Sequence, residues 1–261
     1  NKENLVGTWR RGEINTGYKL FKKRLLASPH ITHVSSISNP ISYAGPSQSI
    51  NNWDGNAGDR SIRMHFHSVD YDIIETLGVE ILKGRSFTHM YNDDSSTVFL
   101  INETAVKKMG FTEPIGKTMT IGNQTGRIVG VFKNFNFNTI HHKINPLTLI
   151  LDNSSCRGTY IRIQPDRTKE ALTYIRKVWN DIEPNHPFNY IFMDQLLQSL
   201  YKKEQQTAKL FKYFTVLAIL ISCLGLFGLT SFMTEQRKKE IGIRKVMGSK
   251  ISNIILLLTK E

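Results

Sequence analysis

Residues 110–118, GFTEPIGKT, end in the Gly-Lys-Thr that closes a phosphate-binding loop. In such a loop the backbone amides cradle phosphates, the Lys reaches the outer phosphate and the hydroxyl holds Mg²⁺. That chemistry needs Gly-x-x-x-x-Gly-Lys-Ser/Thr, following a strand and opening a helix. Here five residues separate Gly110 from Gly116, and Phe111 stands where glycine is required. Pro114 removes an amide donor. The helical pattern ETAVKKM precedes the stretch and the alternating KTMTIG follows it, which reverses the required order. The stretch reads as a turn, Pro114 to Gly116, entering a hairpin.

The other chemically capable residues have plain readings. His65 and His67 alternate on a strand and share a face, as a zinc pair would. No third ligand can be placed, so they read as solvated strand residues. His141 and His142 project to different sides. Asp70 and Asp72 flank a helix start, where capping accounts for them. Asp93 and Asp94 lie in the turn YNDDSS. No Ser or Cys sits in a hydrolase elbow, and Asn102, Asn123 and Asn153 open glycosylation sequons, a pattern frequent by chance. No catalytic constellation emerges, and no metal or cofactor site is assigned.

The elements that would position these residues follow from periodicity. NLVGT at 4–8 reads as a strand. A helix follows with Tyr18, Phe21 and Leu25 on one face and Pro29 ending it, then a strand at 33–38. Residues 39–61 are rich in Asn, Gly, Ser and Pro, which is loop chemistry. A β-rich middle contains RMHFHSV, a short helix closed by Gly78, STVFLIN, the helix ETAVKKMG, a hairpin about residues 123–126, and PLTLIL. TYIRIQ is a strand. The helix after it places Ala171, Leu172, Ile175, Val178, Trp179 and Ile182 on one face and ends at Pro184, before the strand FNYIF. The outer parts thus read β-α-β twice. The fold class expected is α+β: a split βαβ, ferredoxin-like unit at 1–45 and 156–193, with an inserted, mostly β subdomain at 46–155. One long helix is expected from about 195 to 233, as a stalk at 194–212 and a membrane span at 213–234.

The span is the uncharged run YFTVLAILISCLGLFGLTSFM, in which eleven of 21 residues are Leu, Ile, Phe or Val. As a helix it is about 31 Å long, the thickness of a bilayer core. Those residues favour insertion by roughly 3 to 7 kcal/mol before polar corrections. Ala218, Ser222 and Gly225 share one face, a small-residue arrangement that admits a second helix. Lys202, Lys203, Lys209 and Lys212 precede the span and Arg237, Lys238, Lys239, Arg244 and Lys245 follow it, so charge bias does not set orientation. The net charge of +12 is dispersed apart from RKKEIGIRK near the end. With no basic-aromatic platform it gives no footing for nucleic acid. The two cysteines, one inside the span, build neither a disulfide framework nor a Cys-based zinc site. The chain opens on Asn1 and closes in the apolar run IILLLTKE, so a segment of a longer protein is expected.

After the span, residues 235–261 set Ile241, Val246 and Met247 among Arg and Lys, as in a short amphipathic helix at a membrane surface. Gly248 stops it and Ser249 caps the next helix. EIGIRKVMGSK closely resembles the segment after the second membrane helix in ABC-transporter permeases of the MacB/FtsX type. SVDYDIIETLGVEILKGRSF, LINETAVKKMGFTEPIGKTMTIG and GRIVGVFKNFNFNTIHHKINP look like successive blocks of that family's periplasmic domain.

The resemblance implies an extracytoplasmic domain with a porter-like part and an inserted β part, set between the first two of four membrane helices. It implies the bacterial inner membrane, with residues 1–212 outside the cytoplasm. It also implies a second permease half or a homodimer, contact with membrane lipid, and an ABC ATPase subunit that holds ATP and Mg²⁺. A periplasmic adaptor or a lipoprotein is a further implied partner, and export or extrusion of a substrate the implied task. Glu240, Gly242, Ile243, Arg244, Lys245 and Gly248 match the family's ATPase-coupling segment. The first membrane helix and most of the third fall outside the sequence. Two alternatives stand beside this reading: a membrane-anchored binding or sensory module, and a regulator of a cell-wall hydrolase.

Overall fold

The computed structural model of the chain describes residues 4–41, 45–56, 58, 60–88, 90, 97–135 and 144–248. In chain order the first elements are β1 (Leu5–Trp9), α1 (Gly12–Thr16), α2 (Tyr18–Leu26), β2 (Ile31–Ile37), β3 (Ser47–Ile50), β4 (Ile62–Val69), α3 (Ile73–Leu77) and β5 (Ile81–Gly84). Then come β6 (Val98–Asn102), α4 (Glu103–Met109), β7 (Thr118–Ile121), β8 (Gln124–Phe132), β9 (Leu147–Leu151), β10 (Gly158–Ile163), α5 (Thr168–Ile182) and β11 (Tyr190–Phe192). Two helices end the described chain, α6 (Met193–Gln236) and α7 (Lys238–Val246). The chain divides into two compact units, Asn1–Tyr201 and Lys202–Glu261.

In the first unit the strands run β11-β1-β10-β2, antiparallel throughout. β10, from the second β-α-β, lies between β1 and β2 of the first, which is the split βαβ arrangement expected. The apolar stripes of the helices make it. Tyr18, Phe21 and Leu25 of α2 and Ala171, Ile175, Val178 and Trp179 of α5 are buried against Val6, Val34, Ile161 and Ile163. The Phe21 and Trp179 rings meet edge to face with centroids 5.9 Å apart, a favoured geometry for their quadrupoles.

The sheet continues from β2 into β4-β9-β6-β8-β5, with β3 on β4 and β7 on β8. β4/β9 and β6/β8 are parallel pairs. All five residues of β6 are buried, as befits a strand covered on both faces. Its alternate residues enter different cores: Leu100 joins Phe132, Leu147 and Leu149, whereas Phe99 and Ile101 join Ile128 and Ile150. Two strands depart from the sequence reading. β3 lies inside the stretch assigned to loop, and β5 was not read as a strand. Both are only four residues long, β3 largely half-buried and β5 mostly exposed, so neither carries a clean period of two. The hairpin turns two residues earlier than its expected centre would place it. Ile121 pairs Gln124, which leaves Gly122 and Asn123 as the turn.

The stretch GFTEPIGKT folds as helix, turn and strand. Gly110 and Gly116 both take left-handed backbone, φ 77° and 82°, which glycine adopts without strain. The Gly110 amide closes α4 on Val106 O, the Gly116 amide donates to Ile128 O, and the Thr118 amide donates to Asp54 Oδ2. Those amides are spent within the protein.

Asn102 does unexpected work at the β6–α4 junction. It is fully buried, so its sequon is unreachable in the folded chain. Its Oδ1 accepts from the Ala105 amide at 2.9 Å, capping α4, and from the Leu147 amide at 3.0 Å. Its Nδ2 donates to Asn145 O at 2.9 Å. Asn102→Ala removes the cap and strands buried polar groups, so a loss of about 2–4 kcal/mol in denaturant unfolding is expected. Glu183 plays a similar part between α5 and α1. It accepts from His186 Nδ1 at 3.0 Å and from the Glu13 amide at 2.7 Å. The His186 bond, then the Glu13 amide, holds this carboxyl below the usual Glu range. A depressed carboxylate stabilises above its unfolded pKa, and that stabilisation is lost as pH falls through the folded value. Glu183→Gln should therefore lower stability at neutral pH and flatten its decline below about pH 4.5, read by unfolding across pH.

Candidate functional site

β2 and β4 share one register pair, Ile37 with Val69. Beside it the backbone is cross-linked: Asp70 N donates to Ser36 O at 2.9 Å and Ser38 N to Ser68 O at 2.8 Å. A buried polar cluster is built on this seam. Tyr18 and Lys22 sit one turn apart on α2 and so share a face. Tyr18 Oη donates to Asp70 Oδ2 at 2.8 Å, and Lys22 Nζ bonds Asp70 Oδ2 and Asp72 Oδ2, each at 2.9 Å. The Asp70 side chain is 9% exposed and that of Asp72 50%.

This corrects the capping role expected of the two aspartates. Asp72 occupies the N-cap position of α3, but its backbone is left-handed and its side chain makes no cap hydrogen bond. Its carboxylate goes to a full positive charge instead, and charge-assisted bonds are about twice as strong as neutral ones.

Further bonds close the cluster. Ser35 Oγ donates to Asp70 O, Ser36 Oγ to Asn153 Oδ1 at 3.0 Å, and Cys156 Sγ to Ser68 O. The Arg10 guanidinium lies over the Tyr18 ring, 4.2 Å from its centroid. Burial lowers the pKa of Arg10. Burial, then the Asp70 charge, raises that of Tyr18 well above its ordinary value. Burial pushes the Cys156 thiol up to about 12. Burial works against ionisation of Asp152, yet hydrogen bonds from Ser154 and Ser155 hold its carboxyl below the usual range. The cluster thus holds a protonated Tyr, an unionised thiol and two carboxylates on one Lys, and none of these is an activated nucleophile.

The histidines separate. His67 is fully buried on β4, which corrects its reading as a solvated residue: the backbone at Gly45 lies against its ring. His65 is half-buried, with Nδ1 3.3 Å from Gly45 O. No group of three metal-binding side chains forms among the described residues. His141, His142, Asp93 and Asp94 lie outside the described residues.

In the second unit, α6 begins two residues before and ends three after the expected 195–233. Among the described residues, one helix, Gln206–Gln236, is long and apolar enough to cross a membrane. Its threonines bond their own helix: Thr215 Oγ1 to Phe211 O, Thr230 to Leu226 O and Thr234 to Thr230 O. No water is then required to satisfy them in hydrocarbon. Ala218, Ser222 and Gly225 are exposed on α6, with no atom within 4 Å of a Cβ built on Gly225. α7 carries Glu240, Gly242, Ile243, Arg244 and Lys245, and Gly248 follows it with φ 80°. Ile243, Val246 and Met247, spaced to share a face, are 63%, 89% and 82% exposed. Ser249 lies outside the described residues.

Residues 7–176 match the MacB-like periplasmic core domain, and residues 213–261 match the FtsX-like permease C-terminal region. The chain belongs to the MacB/FtsX permease family. Among curated relatives, a macrolide export ATP-binding/permease protein MacB of Acinetobacter baylyi is 22% identical over 203 residues, 72% of this chain and 30% of its own length. One of Aggregatibacter actinomycetemcomitans is 21% identical over 77% of this chain and 32% of its own. The chain thus spans about a third of the relatives it matches. The crystal structure of the periplasmic region of MacB from Actinobacillus actinomycetemcomitans superposes with TM-score 0.52 at 15% identity, over 77% of this chain and 94% of that one. The α+β fold is that of a MacB periplasmic domain followed by a long apolar helix.

In this MacB/FtsX-type permease the carried-over coupling positions all fall in the FtsX-like region, and the seam cluster in the MacB-like one. Sequence reasoning missed Arg10 and Lys22. One signal for Lys22 was present: it lies four residues after Tyr18, on the edge of the apolar stripe. Lys22→Met leaves Asp70 buried without its cation and should cost about 2–4 kcal/mol in denaturant unfolding. Asp72→Asn, at the exposed end, should cost less than about 1 kcal/mol.

Proposed function

We propose that the chain is the extracytoplasmic domain, stalk, one membrane helix and coupling helix of an ABC-transporter permease of the mechanotransmission type. ATP binding and hydrolysis in a partner ATPase, separate or fused, would move α7. The stalk at 194–212 would pass that motion to the MacB-like domain, driving export or extrusion of a substrate from the outer side of the membrane. In this reading the membrane is the bacterial inner membrane, residues 1–212 are extracytoplasmic, and ATP and Mg²⁺ stay with the ATPase. A second permease half or a second copy completes the membrane unit, and Ala218, Ser222 and Gly225 offer a face for close helix packing. A periplasmic adaptor or lipoprotein would meet the outer domain.

One observation carries the proposal. Directly after an apolar span, α7 exposes Ile243 and Val246, with Met247 exposed just beyond it, in a segment that also holds Lys238, Lys239, Arg244 and Lys245. An uncovered apolar stripe with cations beside it suits a groove with acidic margins on a soluble partner. Gly242 and Gly248 let the backbone approach that partner and end the helix, and Glu240 supplies an acidic position in the segment for a basic group on it.

Ile243→Glu, and separately Arg244→Glu with Lys245→Glu, should lower transport-coupled ATPase activity of the full permease about tenfold or more while it still inserts in the membrane. ATPase rates with and without permease, and co-purification of the ATPase, read this directly. Unchanged stimulation and unchanged co-purification would remove the coupling role.

A further inference from the structure

Arg10 poses a problem that the permease reading leaves unsolved. Its side chain follows β1 into the interior and is 6% exposed. Nε and Nη2 have no hydrogen-bond partner within the protein. The nearby carboxylate, Asp70, is committed to Tyr18 and Lys22. A guanidinium taken from water without acceptors is costly, and the Tyr18 face offsets only part of that cost.

Arg10 lines a cavity of about 270 Å³ with Asn15, Lys19 and Asn153 among its walls, and no carboxylate lines it. Lys19 has no ion pair among the described residues. Asn153 accepts from Ser36 through Oδ1, which leaves its Nδ2 as a donor. Thr16 and Ser154 also line the cavity, but they give their hydroxyl protons to Glu13 O and Asp152 Oδ1. Tyr18 and Cys156 complete the lining and give their protons to Asp70 and to backbone carbonyls, so two cations and amide donors are left for the space.

We propose that this cavity binds a phosphomonoester group, with Arg10 and Lys19 supplying the charge and Asn153 a neutral donor. Two unpaired cations match the charge of a phosphomonoester, about −2 at neutral pH, better than the single charge of a carboxylate. Guanidinium donors suit its oxygens in a forked geometry. The volume is below the roughly 300–1,000 Å³ of pockets that enclose whole drug-sized molecules, so it fits a head group. An adjoining groove of about 820 Å³ shares Tyr18, Lys19 and Asn153 and runs past Leu26 and Leu151, with the carboxylates Asp70, paired with Lys22, and Asp152, bonded to Ser154 and Ser155, also in its wall. It would take the rest of the molecule, with Lys23 at its side. The phosphomonoester can thus come from a soluble metabolite or from a phospholipid of the phosphatidic acid type. The proposal is independent of the coupling role of α7.

The test uses the full chain in detergent at constant ionic strength, titrated with inorganic phosphate by calorimetry and by thermal unfolding. Saturable 1:1 binding at millimolar phosphate, with a rise in Tm, is expected. Arg10→Gln should weaken it about tenfold or more and Lys19→Gln several-fold, whereas Lys169→Gln on α5 should bind as the parent does. Lys19 is exposed, so that variant keeps its fold and carries the test if Arg10→Gln does not. Competition by glycerol 3-phosphate but not by dihexanoyl phosphatidic acid would assign a soluble source, and competition by the lipid a head group. Absence of saturable binding, or binding unchanged in Lys19→Gln and any folded Arg10→Gln, would overturn the site.

Discussion

The charge of Lys22 is the constraint around which the first unit is arranged. Two stretches of sheet meet at Ile37 and Val69 and share no other register pair, although one apolar core, with Leu5, Ile37 and Tyr160 beside Val69, Leu100 and Leu147, runs under both. The next residue after Val69 is a carboxylate that the fold buries. A buried carboxylate is tolerable only with a cation and hydrogen bonds at hand. Both come from α2, through Lys22 and Tyr18, some 48 and 52 residues away in sequence. The pairing therefore ties the helix layer of the ferredoxin-like part to the first strand and helix of the rest. Apolar contact alone is non-directional. The ion pair and the Tyr18 bond add fixed, directional partners to that contact.

That constraint explains what was legible beforehand and what was not. Tyr18, Phe21 and Leu25, and the stripe from Ala171 to Trp179, announced their helices because burial of one face imposes a period the sequence must carry. The interleaving of β10 between β1 and β2 followed from two β-α-β units that had to share one sheet. β3 and β5 gave no such signal, because four residues are too few to show a period and their backbone pairing is blind to side chains. Asp70, Asp72 and Asn102 were visible as residue types, but their partners were not. The capping reading failed for Asp72 because a distant Lys outcompeted the local amides. Asn102, read from sequence only as a chance sequon, is the residue that caps α4. Local patterns name the element, and long-range electrostatics decides which polar side chain serves it.

The candidate sites divide in the same way. The helix α7 was legible from sequence as a short element after the span, and its apolar residues Ile243 and Val246 are uncovered. Arg10 was not, since a single Arg after a strand carries no pattern. Only the fold shows that it is enclosed and that Asp70, the obvious counter-ion, is already occupied.

The two cysteines carry a practical consequence. Cys156 is buried with its Sγ directed at two backbone carbonyls, and Cys223 sits within the apolar span. To a water-borne thiol reagent the native chain is close to a cysteine-free background. Pairs of cysteines introduced across the β2–β4 seam would thus be the only reactive thiols in the domain. Their rate of cross-linking would report whether the two stretches of sheet part during turnover, without any prior removal of native thiols.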